Sequence, residues 1–233
     1  MIPLNRRMTF GLLASIFLIS AVPALADEPS FLKAEDVSLL DILPPPPDGD
    51  ATTAEIAAFH AFEATRTEAR AKQAIADDDE TVFRFLAGMG IDLDPAQVPL
   101  TAKFFESIAA TEGEIVDPAK KVWARPRPPA LDVSIKPLIE LSKSGAYPSG
   151  HATLGMLFGI TLAKMLPEKK EQIFARAVDY GFSRYVVGVH YLSDLEASKL
   201  AGAAIGNALL HDPAVVKAME PVKAELRAAM GMM

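Results

Sequence analysis

The segment YPSGHATLG, residues 147–155, marks the start of a predicted buried helix. Ser149 is a favoured helix-capping residue, and apolar side chains follow at once at Leu154, Met156, Leu157, Phe158, Ile160 and Leu162. We therefore predict a helix over 150–166. A serine cap followed by glycine and a first-turn histidine also occurs at purely structural helix starts. Whether His151 has a function depends on the rest of the chain.

Apolar residues at helical spacing predict further helices on both sides of this segment. They cover about 52–76, 80–88, 98–111, 116–124, 168–180, 190–210 and 213–229. Residues 125–147 are predicted to be mainly loop with one short helix. The sequence shows no strand-like alternation, no repeat and no glycine-rich phosphate loop. The pattern predicts an all-α, single-domain, compact helical bundle.

The first 26 residues have the layout of a secretory signal peptide. A basic start, MIPLNRR, precedes the apolar run MTFGLLASIFLISAV, and the small-x-small cleavage pattern Ala24-Leu25-Ala26 precedes Asp27. We expect cleavage after Ala26, export to the periplasm and no stable membrane insertion afterwards. An uncleaved anchor is the weaker alternative, because the apolar run is short and Pro23 interrupts it.

The region after the signal peptide combines an arm with a helical start. Residues 27–50 are predicted to form an extended arm, because four prolines at 44–47 favour the polyproline conformation. Residues 51–233 would then form the catalytic domain. Thr52 and Glu55 form a capping-box pattern at the first helix.

Two further local features have plain structural interpretations. The acidic run DDDE at 77–80 is predicted to be a solvated turn. His60 lies next to Phe59 and is predicted to be a packing histidine.

Composition narrows the range of functions. The 233 residues are 50% hydrophobic, enough for one sizeable core. Acidic residues number 30 against 23 basic ones, so the surface is unsuited to nucleic acid. There is no cysteine, which excludes disulfides, thiolate nucleophiles and cysteine–zinc sites. Because acidic residues outnumber basic ones, a phosphorylated substrate would need a local basic pocket.

Three polar clusters could supply such a pocket, although each alone has an ordinary structural explanation as a basic turn, a helix cap or a polar helix face. They are KKVWARPRP (120–128), PSGH (148–151) and SRYVVGVHYLSD (183–194).

Five residues of these clusters fit a phosphate site. Arg127 and Arg184 carry planar guanidinium groups that match phosphate oxygens, and Lys120 adds a point charge. Ser149 and Gly150 lie at a helix start, where free backbone N–H groups favour an anion. Gly150 also lets the phosphate approach the backbone.

Three more residues could perform chemistry on the bound phosphate. His190 and Asp194 are four residues apart, so on a helix they share a face and can form a hydrogen bond. That bond would fix the imidazole tautomer and leave the other ring nitrogen free for attack. His151 remains as a separate proton donor. The alternative that these three bind a metal is weaker, because the converging cations would repel it, and we expect neither metal nor cofactor.

The joint pattern Lys-x6-Arg-Pro, Pro-Ser-Gly-His and Ser-Arg-x5-His-x3-Asp resembles the signature of the type 2 phosphatidic acid phosphatase superfamily. The chain most resembles its class A bacterial non-specific acid phosphatases, through LPPPP (43–47), SKSGAYPSGH (142–151) and SRYVVGVHYLSDLEASKL (183–200). It departs from many relatives in lacking cysteine, in Gly181-Phe182 before Ser183, and in Pro126. These departures bear on substrate preference and loop shape.

The resemblance implies a metal-independent, vanadate-inhibited acid phosphatase acting on a broad range of small phosphomonoesters, with phosphotransfer to alcohols in some relatives. It implies that His190 becomes phosphohistidine, that Asp194 orients it and that His151 protonates the leaving alcohol. The phosphoryl oxygens would be held by Lys120, Arg127, Ser149, Gly150 and Arg184.

Three alternatives to this function have weaker support. A lipid phosphate phosphatase is disfavoured by the missing transmembrane helices, and a vanadate haloperoxidase by the short chain. A phosphate-binding protein would not need the catalytic set. The physiological substrate and the oligomeric state, a homo-oligomer included, stay open.

Overall fold

The computed structural model describes residues 29–232, so the predicted signal peptide and its cleavage site lie outside the described residues. Within 29–232 the regular structure is helical and contains no strand, which confirms the all-α prediction. Across the same range, no helix combines the length and apolarity needed to cross a bilayer.

The helices follow one another with short connections. The first half contains a 3₁₀ turn at Ala34–Asp36, α1 (Leu39–Ile42), α2 (Gly49–Glu63), α3 (Glu68–Ala76), α4 (Val82–Ala87), a 3₁₀ turn at Pro95–Gln97 and α5 (Pro99–Trp123). The second half contains α6 (Pro128–Leu131), α7 (Gly150–Met165), a 3₁₀ turn at Pro167–Lys169, α8 (Lys170–Val186), α9 (Leu192–His211) and α10 (Pro213–Ala229).

Helix α7, the helix predicted from the PSGH segment, forms the centre of the fold and packs against α5, α8 and α9. Its apolar residues point in all directions, as expected for a helix surrounded by protein. Gly155 and Gly159 allow α8 to come close, since an added Cβ would lie 2.8 Å from the Tyr180 ring and 2.9 Å from Ala177 Cβ. The N-terminus of α7 is thereby fixed against its neighbours.

Two parts of the chain are divided into helices differently from the prediction. The single helix expected over 52–76 is split into α2 and α3, because Thr67 accepts a hydrogen bond from the Arg70 N–H and starts a new helix. The two helices expected over 98–111 and 116–124 form the single helix α5, which continues through Pro118. Its buried face runs on across this region, and that packing outweighs the local proline and glycine signals.

The N-terminal segment lies against the body of the protein near the PSGH motif. The Tyr147 hydroxyl donates a hydrogen bond to the Pro44 carbonyl at 2.7 Å. Helix α2 begins after Asp48, so the capping box predicted at Thr52 is wrong. Thr52 instead donates to the Pro47 carbonyl at 2.9 Å. The division into an arm and a catalytic domain stays a prediction.

The turn between α8 and α9 positions His190. Helix α8 continues six residues beyond its predicted end at 180, and α9 begins only at Leu192. Gly188 has φ +79°, a left-handed conformation that glycine adopts without strain. His190 therefore lies in a tight turn before α9, and not on the helix as predicted.

Candidate active site

A cavity of about 360 Å³ lies where the N-terminus of α7 meets the ends of α5 and α8. Its wall includes six of the eight predicted site residues, namely Lys120, Arg127, Gly150, His151, Arg184 and His190. The other two, Ser149 and Asp194, are completely buried behind that wall. Residues far apart in the sequence thus converge on one space.

His190 is held in a defined tautomer. Its Nδ1 lies 3.1 Å from Asp194 Oδ2, and its Nε2 lies 3.0 Å from Arg127 Nη1. A guanidinium can only donate, so Nε2 must carry the lone pair, and Nδ1–H donates to Asp194. Burial lowers the pKa of His190 well below its usual value, and the charges of Arg127 and Lys120 lower it further. His190 is therefore a neutral imidazole with its lone pair in the cavity.

Asp194 is held by groups on both carboxylate oxygens. Its Oδ2 also accepts the Tyr191 N–H at 2.9 Å, and its Oδ1 accepts from Arg125. Burial raises the pKa of Asp194 to about 6, although Arg125 and the Tyr191 amide both favour the carboxylate. The Arg125 guanidinium lies 4.0 Å from the Tyr191 ring centre and donates to Glu55 Oε2 at 2.7 Å.

Sequence reasoning gave no role to Arg125 and interpreted Glu55 as a cap. The available signal was a second arginine two residues before Arg127. The use of Glu55 depends on how α2 packs beside α9, which no local pattern specifies.

The cations Lys120 and Arg127 are held by neutral groups. Arg127 donates through Nε to the Ser144 carbonyl at 3.0 Å and through Nη1 to the Val189 carbonyl at 3.1 Å. Lys120 Nζ donates to the Gly145 carbonyl at 2.9 Å. Burial and neighbouring arginines lower the pKa of Lys120 to about 8 and that of Arg127 to about 10. Within residues 29–232 neither cation forms a salt bridge with a carboxylate, so their charge is available to an anion.

Arg184 is held differently. Its Nη1 donates to Asp78, and its Nε is buried without a hydrogen-bond partner among the described residues. The side chain is 10% exposed at the end of α8. Arg184 thus contributes an Nε–H donor to the cavity wall.

His151 faces the same cavity from the first turn of α7. Its Nδ1 lies 3.2 Å from Glu80 Oε1, and its ring stacks on Tyr180 at 4.2 Å between centres. Its Nε2 is buried and finds no hydrogen-bond partner in the part of the chain that the structure describes. Burial lowers the pKa of His151, while the Glu80 hydrogen bond opposes that shift.

The acidic run at 77–80 forms the predicted turn, and Asp78, Asp79 and Glu80 are exposed, but the run is not simply solvated. Asp77 is fully buried, Asp78 contacts Arg184, and Glu80 contacts His151. Four consecutive acidic residues suggest solvent exposure when only local sequence is considered. Their cationic partners lie on α7 and α8, so only the tertiary fold reveals the use of these carboxylates.

The start of α7 has the predicted cap. Ser149 Oγ accepts the Ala152 N–H at 3.3 Å. Gly150 packs against Glu112, for which the sequence pattern predicted no role. A Cβ at this position would lie 2.7 Å from Glu112 Oε1.

His60 lies outside this cavity. Its Nε2 is 2.9 Å from Asp132 Oδ2, and its side chain is 39% exposed. The hydrogen bond with Asp132 raises the pKa of His60. The packing predicted for His60 is present as an edge contact with the Phe59 ring, at 6.2 Å between ring centres, alongside the Asp132 hydrogen bond. As for metals, the described part of the chain holds no group of three or more His, Asp or Glu arranged to bind one.

Comparison with known proteins identifies the family to which this chain belongs. The family model described as PAP2 superfamily matches residues 101–216. The non-specific acid phosphatase of Salmonella typhimurium is 31% identical over 210 residues, covering 85% of this chain and 84% of its own. The acid phosphatase of Zymomonas mobilis is 30% identical over 234 residues, covering 95% and 88%. The non-specific acid phosphatase of Providencia stuartii is 26% identical over 232 residues, covering 92% and 94%.

Proposed function

Because this chain belongs to the PAP2 superfamily, as one of its acid phosphatases, we propose that it hydrolyses phosphomonoesters through a phosphohistidine at His190. The main support is the contact between Arg127 Nη1 and His190 Nε2. This contact requires an unprotonated Nε2 and places its lone pair beside a cation that can bind the phosphoryl group.

Substrate binding uses the positive charges around the cavity. Lys120, Arg127 and Arg184 surround the space in front of His190, and the N-terminus of α7 adds backbone N–H donors. The phosphoryl oxygens would take up the Arg184 Nε donor. These cations stabilise the charge of the trigonal-bipyramidal transition state.

In the first chemical step, His190 Nε2 attacks phosphorus and the ester P–O bond breaks. The Nδ1 proton remains hydrogen-bonded to Asp194, which stabilises the positive charge that develops on the imidazole. His151 donates its Nε2 proton to the leaving alkoxide, so the alcohol departs neutral.

In the second step, water attacks the phosphohistidine. Neutral His151 accepts a proton from the water, the P–N bond breaks, and inorganic phosphate and free His190 are restored. An alcohol in place of water would give phosphotransfer to that alcohol.

The acid pH range follows from the two histidines. Attack requires neutral His190, whose pKa is far below its usual value, and departure requires protonated His151, whose pKa is lowered less strongly. Activity is then greatest between the two macroscopic pKa values, below the usual histidine value near 6.5.

A broad substrate range is supported by a second cavity of about 630 Å³ beside the first. It shares Lys120 and Arg127 with the phosphate cavity and continues past Lys121, Pro126 and Lys143. Such a space can hold leaving groups of different shapes. The signal-peptide pattern of residues 1–26 supports a periplasmic location.

The deciding experiment is rapid quenching with a ³²P-labelled phosphomonoester in excess EDTA, followed by peptide mapping. We expect acid-labile label on His190, none in His190→Ala, and unchanged labelling in the control His60→Ala. Label on His151, on His60 or on a serine contradicts the proposal. Loss of activity in EDTA that one divalent ion restores contradicts the metal-free mechanism.

A further inference from the structure

Glu112 is a partly buried residue that lines the phosphate cavity and has no role in the mechanism above. It lies on α5, a little over two helical turns before Lys120, and both residues line the cavity. Its Oε1 is buried and has no hydrogen-bond partner within residues 29–232. The carboxyl group packs against Gly150 at the start of α7, where an added Cβ would lie 2.7 Å from Oε1. A buried polar atom without a partner is uncommon and calls for an explanation.

The surroundings of Glu112 favour its neutral form. Burial and the negative charge of the nearby Glu80 raise the pKa of Glu112, while the positive charge of Lys120 opposes the shift, and the resulting pKa is about 8. The other titratable groups around the cavity are Asp117, Arg127, His151, Arg184 and His190. A bound phosphate brings additional negative charge, so it favours the protonated carboxyl group still more.

We propose that Glu112 is a protonated carboxylic acid that donates its O–H to an oxygen of the phosphoryl group bound at the N-terminus of α7. This inference rests on the proposed function, because it takes the cavity to be the phosphoryl site. An acid hydrogen bond to an anionic oxygen is among the stronger ones in proteins. Ionised Glu112 would instead repel the phosphate. Glu112 therefore sets an upper pH limit for phosphate binding, separate from the titration of His151.

The test compares Glu112→Gln with the wild type by titration calorimetry of inorganic phosphate from pH 5 to 9. Glutamine keeps a donor of the same size but cannot ionise. We expect both proteins to bind phosphate with similar affinity at pH 5. At one pH unit above the Glu112 pKa, the glutamine variant should bind phosphate about tenfold more tightly than the wild type. Taking this ratio at each pH cancels the titration of phosphate itself. The control Glu114→Gln, exposed on the same helix, should follow the wild type.

A second variant tests the donated hydrogen bond. Glu112→Ala should weaken phosphate binding at pH 5 by about tenfold or more, the value of a hydrogen bond to a charged group. Parallel curves for wild type and Glu112→Gln, or undiminished binding by Glu112→Ala at pH 5, overturn the inference.

Failure of this inference can be told apart from failure of the proposed function. If His190 is phosphorylated while the binding curves run parallel, only the role of Glu112 is overturned. If His190 is not phosphorylated, the curves still test Glu112, because binding needs no chemistry. If inorganic phosphate does not bind at all, the role of Glu112 is overturned, and labelling of His190 still decides the proposed function.

Discussion

Replacing Arg176 with methionine should destabilise the protein strongly. The carboxylate of Asp77 is fully buried and accepts from Arg176 Nη1 at 2.9 Å and Nη2 at 2.7 Å. Arg84 Nε and Ser183 Oγ each add one hydrogen bond at 2.8 Å. Methionine retains most of the volume but removes the charge, so Asp77 would lose two of these four hydrogen bonds and the more deeply buried of its two arginine partners.

The magnitude follows from this burial. Breaking a buried ion pair from one side costs about 3–5 kcal/mol, because the remaining charge stays desolvated. In a domain of this size each kcal/mol lowers Tm by about 2–4 °C. We therefore expect Arg176→Met to lower Tm by about 6–20 °C at pH 7.

The effect should also depend on pH. Burial alone would raise the pKa of Asp77, but the hydrogen bonds and charge of Arg176 outweigh it, and the pKa lies below its ordinary value. The pair therefore stabilises the fold above the unfolded pKa of about 4, and this stability is lost as pH falls through the folded pKa. In Arg176→Met, Asp77 can become protonated, so the Tm difference should shrink in acid.

The assay is thermal unfolding by circular dichroism from pH 3 to 8. The matched control is Lys72→Met, which removes an ion pair with Glu68 whose side chains are 74% and 82% exposed and should change Tm little. Activity of Arg176→Met well below its Tm should also fall, since the same turn carries Asp78 and Glu80. A Tm loss no greater than that of the control, or one independent of pH, would refute this reasoning.

Three further predictions concern the site. Arg184→Ala should lower kcat/KM by a factor that corresponds to about 3 kcal/mol of lost transition-state stabilisation, and Arg184→Lys should restore little of it. A kcat/KM near the wild-type value in steady-state kinetics would contradict the role of Arg184. His151→Ala should slow alkyl phosphates far more than p-nitrophenyl phosphate, and equal losses for both would remove it as the acid. Arg125→Met leaves Asp194 uncompensated beside His190, so the pair should take up its proton at a higher pH. The acid limb of the kcat/KM profile should then move upward, whereas a lower amplitude with an unmoved limb would indicate only a structural role.

Features that depend on local spacing could be predicted from the amino-acid sequence alone. The apolar residues after Ser149 predicted α7 and its cap, because a buried helix needs apolar residues on every side and an acceptor for its first N–H groups. The motif spacings brought Lys120, Arg127 and His190 to attention together, and the structure places them around one cavity. Helix ends were less predictable. Pro118 signals a break, yet packing along α5 carries the helix through it.

Which charged side chains are buried, and what each of them contacts, depends on the tertiary fold. Asp77, Glu80 and Glu112 look like ordinary surface acids in the sequence, and Arg125 looks like one cation of a basic turn. The environment of each of these side chains comes from a partner or a cavity that another helix provides. The free energy of a charged side chain depends on its solvation and on neighbours a few ångströms away. Those neighbours are distant in the chain, so no local pattern specifies them.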